Sequence, residues 1–184
     1  MRAPIGNFDQ ALPLPEVLDS LVPPVAAAVR GWRGEVPAER LLFVDTDPAK
    51  ADTAVFVETY GADLEKASAN CVIVAGRRGQ DTTLAAALVP ATTRVDVNGV
   101  VRRHLGVRKA SFAPHETAVS ETGMEYGGIT PFGLPAGWPV LVDAAVVAMD
   151  HVLIGSGARR GKLIVPGAAL AELPGAEVLV GLGR

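Results

Sequence analysis

Residues 122–134 read TGMEYGGITPFGL, and the rest of the chain is organised around this stretch. It sets Gly127 beside Gly128, follows them with Ile129, Thr130 and Pro131, and closes on Gly133 and Leu134. Glycine lets a backbone pass close to a ligand and reach φ > 0 without strain. Proline fixes φ and removes one donor. A loop stiffened in this way can offer amides and carbonyls to a polar substrate group. On local grounds alone, the same residues also fit a structural turn entering a strand.

Downstream of the loop, residues 139–142 (PVLV) read as a strand that Asp143 closes. Residues 152–154 and 163–165 read as a hairpin across GSGARRGK. That turn is glycine-rich but lacks the GK[ST] ending of a phosphate loop and leads into a strand. A short helix at 166–173 and a last strand at 178–180 complete this half. Upstream, Pro114 opens a helix over 114–121 with His115 in its first turn, where a lone histidine more often faces solvent than does chemistry. Asp96 caps a helix over 97–105 that Gly106 ends, and residues 107–112 are extended. Residues 71–75 and 83–89 form an antiparallel pair across the glycine-bounded connection 76–81. Cys71 reads as a small buried hydrophobe with no histidine or helix N-terminus near it in sequence to make it a nucleophile.

Nearer the start, residues 62–69 make a helical turn or two. Asp52 reads as the N-cap of a helix over 53–60 that Gly61 stops. Residues 41–44 (LLFV) are a buried strand. Asp45, Asp47 and Asp52 cluster with Thr46, but they lack the central glycine and closing glutamate of a calcium loop, so no metal site is expected. Residues 1–35 read as an N-terminal helical extension to a domain over 36–184. In that extension Pro15 opens a helix with Val17, Leu18, Leu21 and Val22 on one face, Pro23 and Pro24 stop it, and a second helix covers 25–32.

The pattern does not alternate strictly between strand and helix, which argues against a doubly wound parallel sheet. The expected class is α+β: a mixed, mostly antiparallel sheet of about seven strands, curled toward a barrel and flanked by short helices. The 184 residues carry 49% hydrophobic and 20% charged side chains, a globular composition. The net charge of −3 disfavours non-specific binding along a nucleic-acid backbone, yet leaves room for an enzyme that touches one end of an RNA. A single cysteine cannot form an internal disulfide. No apolar run reaches membrane-spanning length and the N-terminus lacks a signal-peptide pattern, so a cytoplasmic protein is expected. There is no HExxH, CxxC, GxSxG or Walker loop, and no cofactor motif.

The ordered set TG, GGITPFG and PVLVDAAV resembles the signature of the YbaK/EbsC-type aminoacyl-tRNA deacylases, relatives of the prolyl-tRNA synthetase editing domain. The resemblance runs from about Asp52 to the C-terminus and implies the same architecture. It implies hydrolysis of the ester that joins an amino acid to the terminal ribose of a mischarged tRNA, acting in trans, with the acceptor end of aminoacyl-tRNA as the partner and no metal or cofactor. Such an ester is already reactive, so positioning and electrostatic stabilisation suffice without a strong nucleophile. Carried over by position, the catalytic group is Asn70, Gly127, Gly128 and Asp143, and the substrate-binding group is Lys66, Ile129, Thr130, Pro131, Ser156 and Gly157. One departure stands out: where the family carries a lysine at the start of its first barrel strand, this chain has Asn70. Lys66, four residues earlier, is the candidate to compensate; a non-catalytic binder of aminoacyl-tRNA or of a small aminoacyl ligand is the alternative. Four basic groups can form a phosphate-binding rim if the fold gathers them: Arg77 with Arg78, Arg102 with Arg103, Arg108 with Lys109, and Arg159 with Arg160 and Lys162.

Overall fold

The computed structural model describes residues 1–51 and 53–184. Its strands sort into two sheets. The first runs in the order β1 (Ala11–Pro13), β2 (Leu42–Val44), β8 (Lys162–Val165) and β7 (Val152–Gly155), every pair antiparallel. The second runs β5 (Lys109–Phe112), β3 (Ala69–Arg78), β4 (Asp81–Pro90), β6 (Val140–Asp143) and β9 (Ala176–Leu179). Here β3 is antiparallel to both neighbours, while β4–β6 and β6–β9 are parallel. The class is therefore the expected mixed, mostly antiparallel α+β. Its curl takes the form of two sheets joined by a parallel bridge at Ser68–Leu153, where the Leu153 amide donates to the Ala67 carbonyl at 2.8 Å.

Alternation of side chains explains why these strands read as nearly continuous apolar runs. Each sheet is covered on both faces, so both parities of the strand must be apolar. The main core lies between the sheets and takes Ile73, Ala86, Leu88, Val140 and Val142 from one, Ile154, Leu163 and Val165 from the other. The outer face of the first sheet buries Leu42, Val44, Leu153 and Ile164 against Phe8, Phe56 and Leu64. The outer face of the second buries Val74, Ala85, Ala87, Val89 and Leu141 against Val97, Val101 and Leu182. Each fully buried Leu, Ile or Val contributes roughly 1.5–3 kcal/mol by leaving water.

Several elements differ from the sequence expectation. The connection expected over 76–81 shrinks to Gly79 and Gln80, because Gly79 takes φ +64° and a two-residue hairpin turn lets β3 and β4 run to Arg78 and from Asp81. Residues 1–35 carry β1, which pairs with β2, and two short 3-10 turns in place of a first helix. Pro23 and Pro24 open α1 (Pro23–Arg30) where they were expected to end a helix, since a missing N–H costs nothing in the first turn. Val25, Ala26 and Val29 of α1 enter the main core. A helix covers Thr53–Tyr60 (α2); the Asp52 cap expected for it lies outside the described residues. Asp96 caps as expected, accepting from the amides of Gly99 at 3.0 Å and Val100 at 3.1 Å. The turn it caps is a π-helix, Val97–Val101, followed by α3 (Arg102–His104).

Asp143 ends β6 and is 5% exposed. Its carboxylate accepts from the amide of Ala145, capping α5 (Ala144–Val147), at 2.8 Å and from the amide of Gly183 at 2.7 Å. One of these charge-assisted bonds caps α5 and the other ties Gly183 to the end of β6. Asp143→Ala should lower unfolding free energy by about 2–4 kcal/mol, since hydrogen bonds to a charged group contribute about 1.5–3 kcal/mol each before relaxation. Denaturant titration measures it, and a loss below 1 kcal/mol would remove the carboxylate from this structural role.

Candidate functional site

The loop over 123–131 owes its path to the end of α4 (His115–Thr122). Gly123 takes the left-handed conformation, φ +66°, and its amide donates to the Val119 carbonyl at 3.0 Å, a helix stop that glycine alone adopts cheaply. Thr122 Oγ1 donates to the Ala118 carbonyl at 2.7 Å and accepts from the Met124 amide at 3.3 Å. The chain then turns at Gly127, φ +83°, with the Gly128 amide bonded to the Glu125 carbonyl at 3.0 Å.

From there the loop is docked, backbone to backbone, on the turn between β7 and β8. The Gly157 amide donates to the Gly128 carbonyl at 2.7 Å, and the Glu125 amide donates to the Gly157 carbonyl at 2.8 Å. Glu125 also receives the Arg159 amide at 2.7 Å. The approach is so close that a Cβ on Gly128 would sit 2.3 Å from the Ala158 carbonyl oxygen, and a Cβ on Gly155 would sit 2.4 Å from the Gly128 carbonyl oxygen. Ser156, 2% exposed, holds the partner turn in shape: its hydroxyl lies 3.0–3.1 Å from the carbonyls of Ala158, Arg160 and Gly161. Thr130 and Pro131 are buried, and among the described residues Thr130 Oγ1 has no hydrogen-bond partner.

Beside this loop opens a cavity of about 660 Å³. Gly127 and Ile129 form one wall, and Asn70, Cys71 and Ile73 of β3 form another. Phe56 and Leu153 make an apolar floor with Lys162 beside them, while Phe112, His115 and Tyr126 stand at the exposed side. The His115 ring meets the Tyr126 ring edge-on with centroids 4.1 Å apart. Of the residues singled out from sequence, Asn70, Gly127 and Ile129 line the cavity. Gly128, Thr130, Pro131, Ser156 and Gly157 build the docked framework that carries the lining residues. Lys66 is exposed on the turn after the 3-10 helix Ala62–Glu65, and Asp143 is engaged with Ala145 and Gly183.

Sequence reasoning did not foresee Lys162 and His115 at the cavity. His115 was expected to face solvent, and it does, on the rim. Lys162 was grouped with its basic neighbours, but it is half-buried, with Nζ 5.8 Å from the Phe56 ring centroid, and burial pulls its pKa below the usual lysine value, with Arg159 adding to the shift. The available signal was alternation: Lys162 shares parity with Ile164, which is buried on the Phe56 side. Burial pushes the Cys71 thiol up to about 12, so at neutral pH it is no nucleophile.

A second cavity, of about 580 Å³, is lined by Asp9, Asp45, Asp47 and Arg160. Arg160 is bidentate to Asp45, Nε–Oδ1 2.8 Å and Nη2–Oδ2 2.7 Å, and this hydrogen bonding holds the Asp45 carboxyl below the usual carboxylate range. That site offers an anionic ligand little. Among the described residues, no three His, Cys, Asp or Glu side chains are placed to share a metal ion.

Comparison with known proteins gives a consistent fold. A sequence profile of the aminoacyl-tRNA editing domain matches residues 47–173. Among curated proteins, none matches the chain in sequence. A crystal structure of a candidate trans-editing enzyme for prolyl-tRNA synthetase superposes with TM-score 0.69 at 21% identity, covering 89% of this chain and 99% of that one. A scaffold from computational epitope grafting gives 0.71 at 20%, covering 89% and 97%. A hypothetical protein gives 0.64 at 22%, covering 79% and 91%.

Two measurements check this geometry. Gly127→Ala adds a methyl into open space and strains only φ, so it should cost about 1–2 kcal/mol. Gly128→Ala drives a methyl into a backbone carbonyl and should cost more, about 3 kcal/mol or above; equal costs by denaturant titration would show that the loop is not docked as described. Cys71 should resist a thiol-specific disulfide reagent at pH 7 and react at once in denaturant. Rapid labelling of the folded protein would refute its raised pKa.

Proposed function

This chain belongs to the aminoacyl-tRNA editing domain family, and from that premise we propose that it hydrolyses the ester of a mischarged aminoacyl-tRNA in trans. The observation that carries the proposal is the cavity beside Gly127 and Ile129, lined across from them by Asn70, Cys71 and Ile73 of β3. In the reaction a water oxygen attacks the ester carbonyl carbon and the π pair moves onto the carbonyl oxygen. Collapse of that oxyanion breaks the bond to the ribose oxygen, which takes up a proton; the amino acid and a free tRNA hydroxyl leave. The rigid loop positions the ester, and the Asn70 amide donates a hydrogen bond where charge develops. Neither Cys71 nor a Ser–His pair is needed.

The mouth supports recognition of the terminal nucleotide. Tyr126 is 63% exposed and Phe112 58% exposed, and a nucleobase stacked on such a ring gains about 1–3 kcal/mol. Phosphates follow along β5. Lys109 lies three residues from Phe112, about 10 Å along the strand, and is the register partner of Arg77. The Arg108 amide bonds to the Arg77 carbonyl at 2.9 Å, and the Val107 amide to the Arg102 carbonyl at 3.2 Å. Three of the four basic groups thus gather at one end of the second sheet. The fourth is divided, with Arg160 held by Asp45 and Lys162 turned inward.

A second reading rests on Asn70: without a cation at that position the chain binds an aminoacyl end and does not cleave it. Deacylation assays over a panel of aminoacyl-tRNAs separate the two, the hydrolase reading requiring turnover of at least one above the spontaneous rate. Asn70→Lys should raise that rate ten- to a hundred-fold, about 1–3 kcal/mol, because charge-assisted bonds are about twice as strong as neutral ones; Asn70→Ala should lower it. Reversing Arg77 and Lys109 to glutamate should weaken tRNA binding and flatten its salt dependence, while sparing a free aminoacyl-adenosine mimic. Unchanged tRNA affinity would move the acceptor end away from β5.

A further inference from the structure

We propose that Lys162 supplies the cation of this cavity, its ammonium holding the ester carbonyl oxygen as negative charge grows on it. The inference rests on the hydrolase reading and assigns the charged group that Asn70 cannot provide.

Strand register places Lys162 for the task. Two residues beyond the Ser68–Leu153 bridge stand Asn70 on β3 and Gly155 on β7, and Gly155 is the register partner of Lys162 on β8. Paired residues share a face, so Lys162 rises on the side where Gly155 has no side chain and the carbonyls of Gly128 and Ile129 approach. Nζ lies over the Phe56 ring, and both residues line the cavity with Asn70, Gly127 and Ile129.

The surroundings are wrong for a structural lysine. Every other residue of β8 is buried and apolar. A packing role at this position would be met by an apolar side chain at no desolvation cost. Among the described residues Lys162 makes no ion pair or side-chain hydrogen bond, and burial lowers its pKa, so the folded state carries this ammonium at a cost. Arg160, two residues earlier, is paired with Asp45 and points at the other cavity. An ammonium on an apolar floor is poorly solvated before substrate arrives, and a developing oxyanion then gains from it more than it would in water. The ammonium only stabilises the oxyanion; the attacking water and the ribose oxygen keep the proton balance described above.

The test compares Lys162→Met, Lys162→Arg and the double variant Lys162→Met with Asn70→Lys. Lys162→Met should keep or raise the melting temperature while deacylation of the most rapidly hydrolysed aminoacyl-tRNA falls ten- to a thousand-fold, mostly in kcat. The double variant should recover at least ten-fold, which a packing defect would not allow, and Lys162→Arg should retain part of the rate. A Lys162→Met protein that hydrolyses as fast as wild type overturns the inference and leaves the hydrolase reading standing. A lowered melting temperature with no recovery in the double variant also overturns it, making Lys162 a packing residue. If wild type hydrolyses none of the panel the hydrolase reading falls, and the inference falls with it.

Discussion

The close backbone contact between residues 124–130 and the β7–β8 turn is the constraint on which the site depends. Gly128 and Gly155 let two stretches of main chain meet at hydrogen-bonding distance with no side chain between them. Two amide-to-carbonyl bonds, Gly157 to Gly128 and Glu125 to Gly157, then fix the relative height of the loop and the hairpin. Because the hairpin belongs to one sheet and the loop leads into β6 of the other, this docking also sets the mouth of the cavity. A rigid loop matters for ester hydrolysis, where positioning is most of what a site without a strong nucleophile can offer.

The cavity lies where the two sheets part. They touch at Ser68–Leu153, and the residues just past the bridge, Asn70 on one strand and Gly155 on the other, both border the cavity. Between the sheets the gap fills with core; at this edge it does not, and the unfilled corner becomes the pocket. Its floor is continuous with the apolar cluster around Phe56, Leu64 and Leu153. Polar groups enter from its walls at Asn70 and from the floor at Lys162.

Charge is distributed unevenly over the molecule. The chain as a whole is acidic, with a net charge of −3. The cations nevertheless gather around β5 and the turn before it, a strand's length from the cavity. Among the described residues, the cavity's lining carries one cation, the half-buried Lys162, and one carboxylate, the exposed Glu65. The β5 cations and Lys162 act over different ranges, since surface cations are screened within about 8–10 Å and a buried one is screened far less.

Local pattern in the sequence was enough for the element types that rest on nearest neighbours. The glycine turn at 127–128, the Asp96 cap, the β3–β4 hairpin and the apolar strands all follow from backbone sterics and side-chain alternation, which act over a few residues. The ordered motifs around Gly127 and Asp143 were enough for the family. What depends on residues far apart was not legible. The part played by Gly128 needed Ala158, thirty residues on, to show that it is a packing glycine. The proline pair at 23–24 reads as a stop or a start depending on which flank finds a core. The bond from the Gly183 amide to Asp143, at 2.7 Å, joins residues forty apart that no local pattern connects. Lys162 sat in a basic run whose members the fold sends to different places: Arg160 to Asp45, Lys162 over Phe56. Composition and periodicity determine what a segment can be, because propensity is local; which side chain meets which, and hence where an ammonium, an amide and a glycine loop share one cavity, was decided by strand register between distant segments, which only the assembled tertiary structure contains.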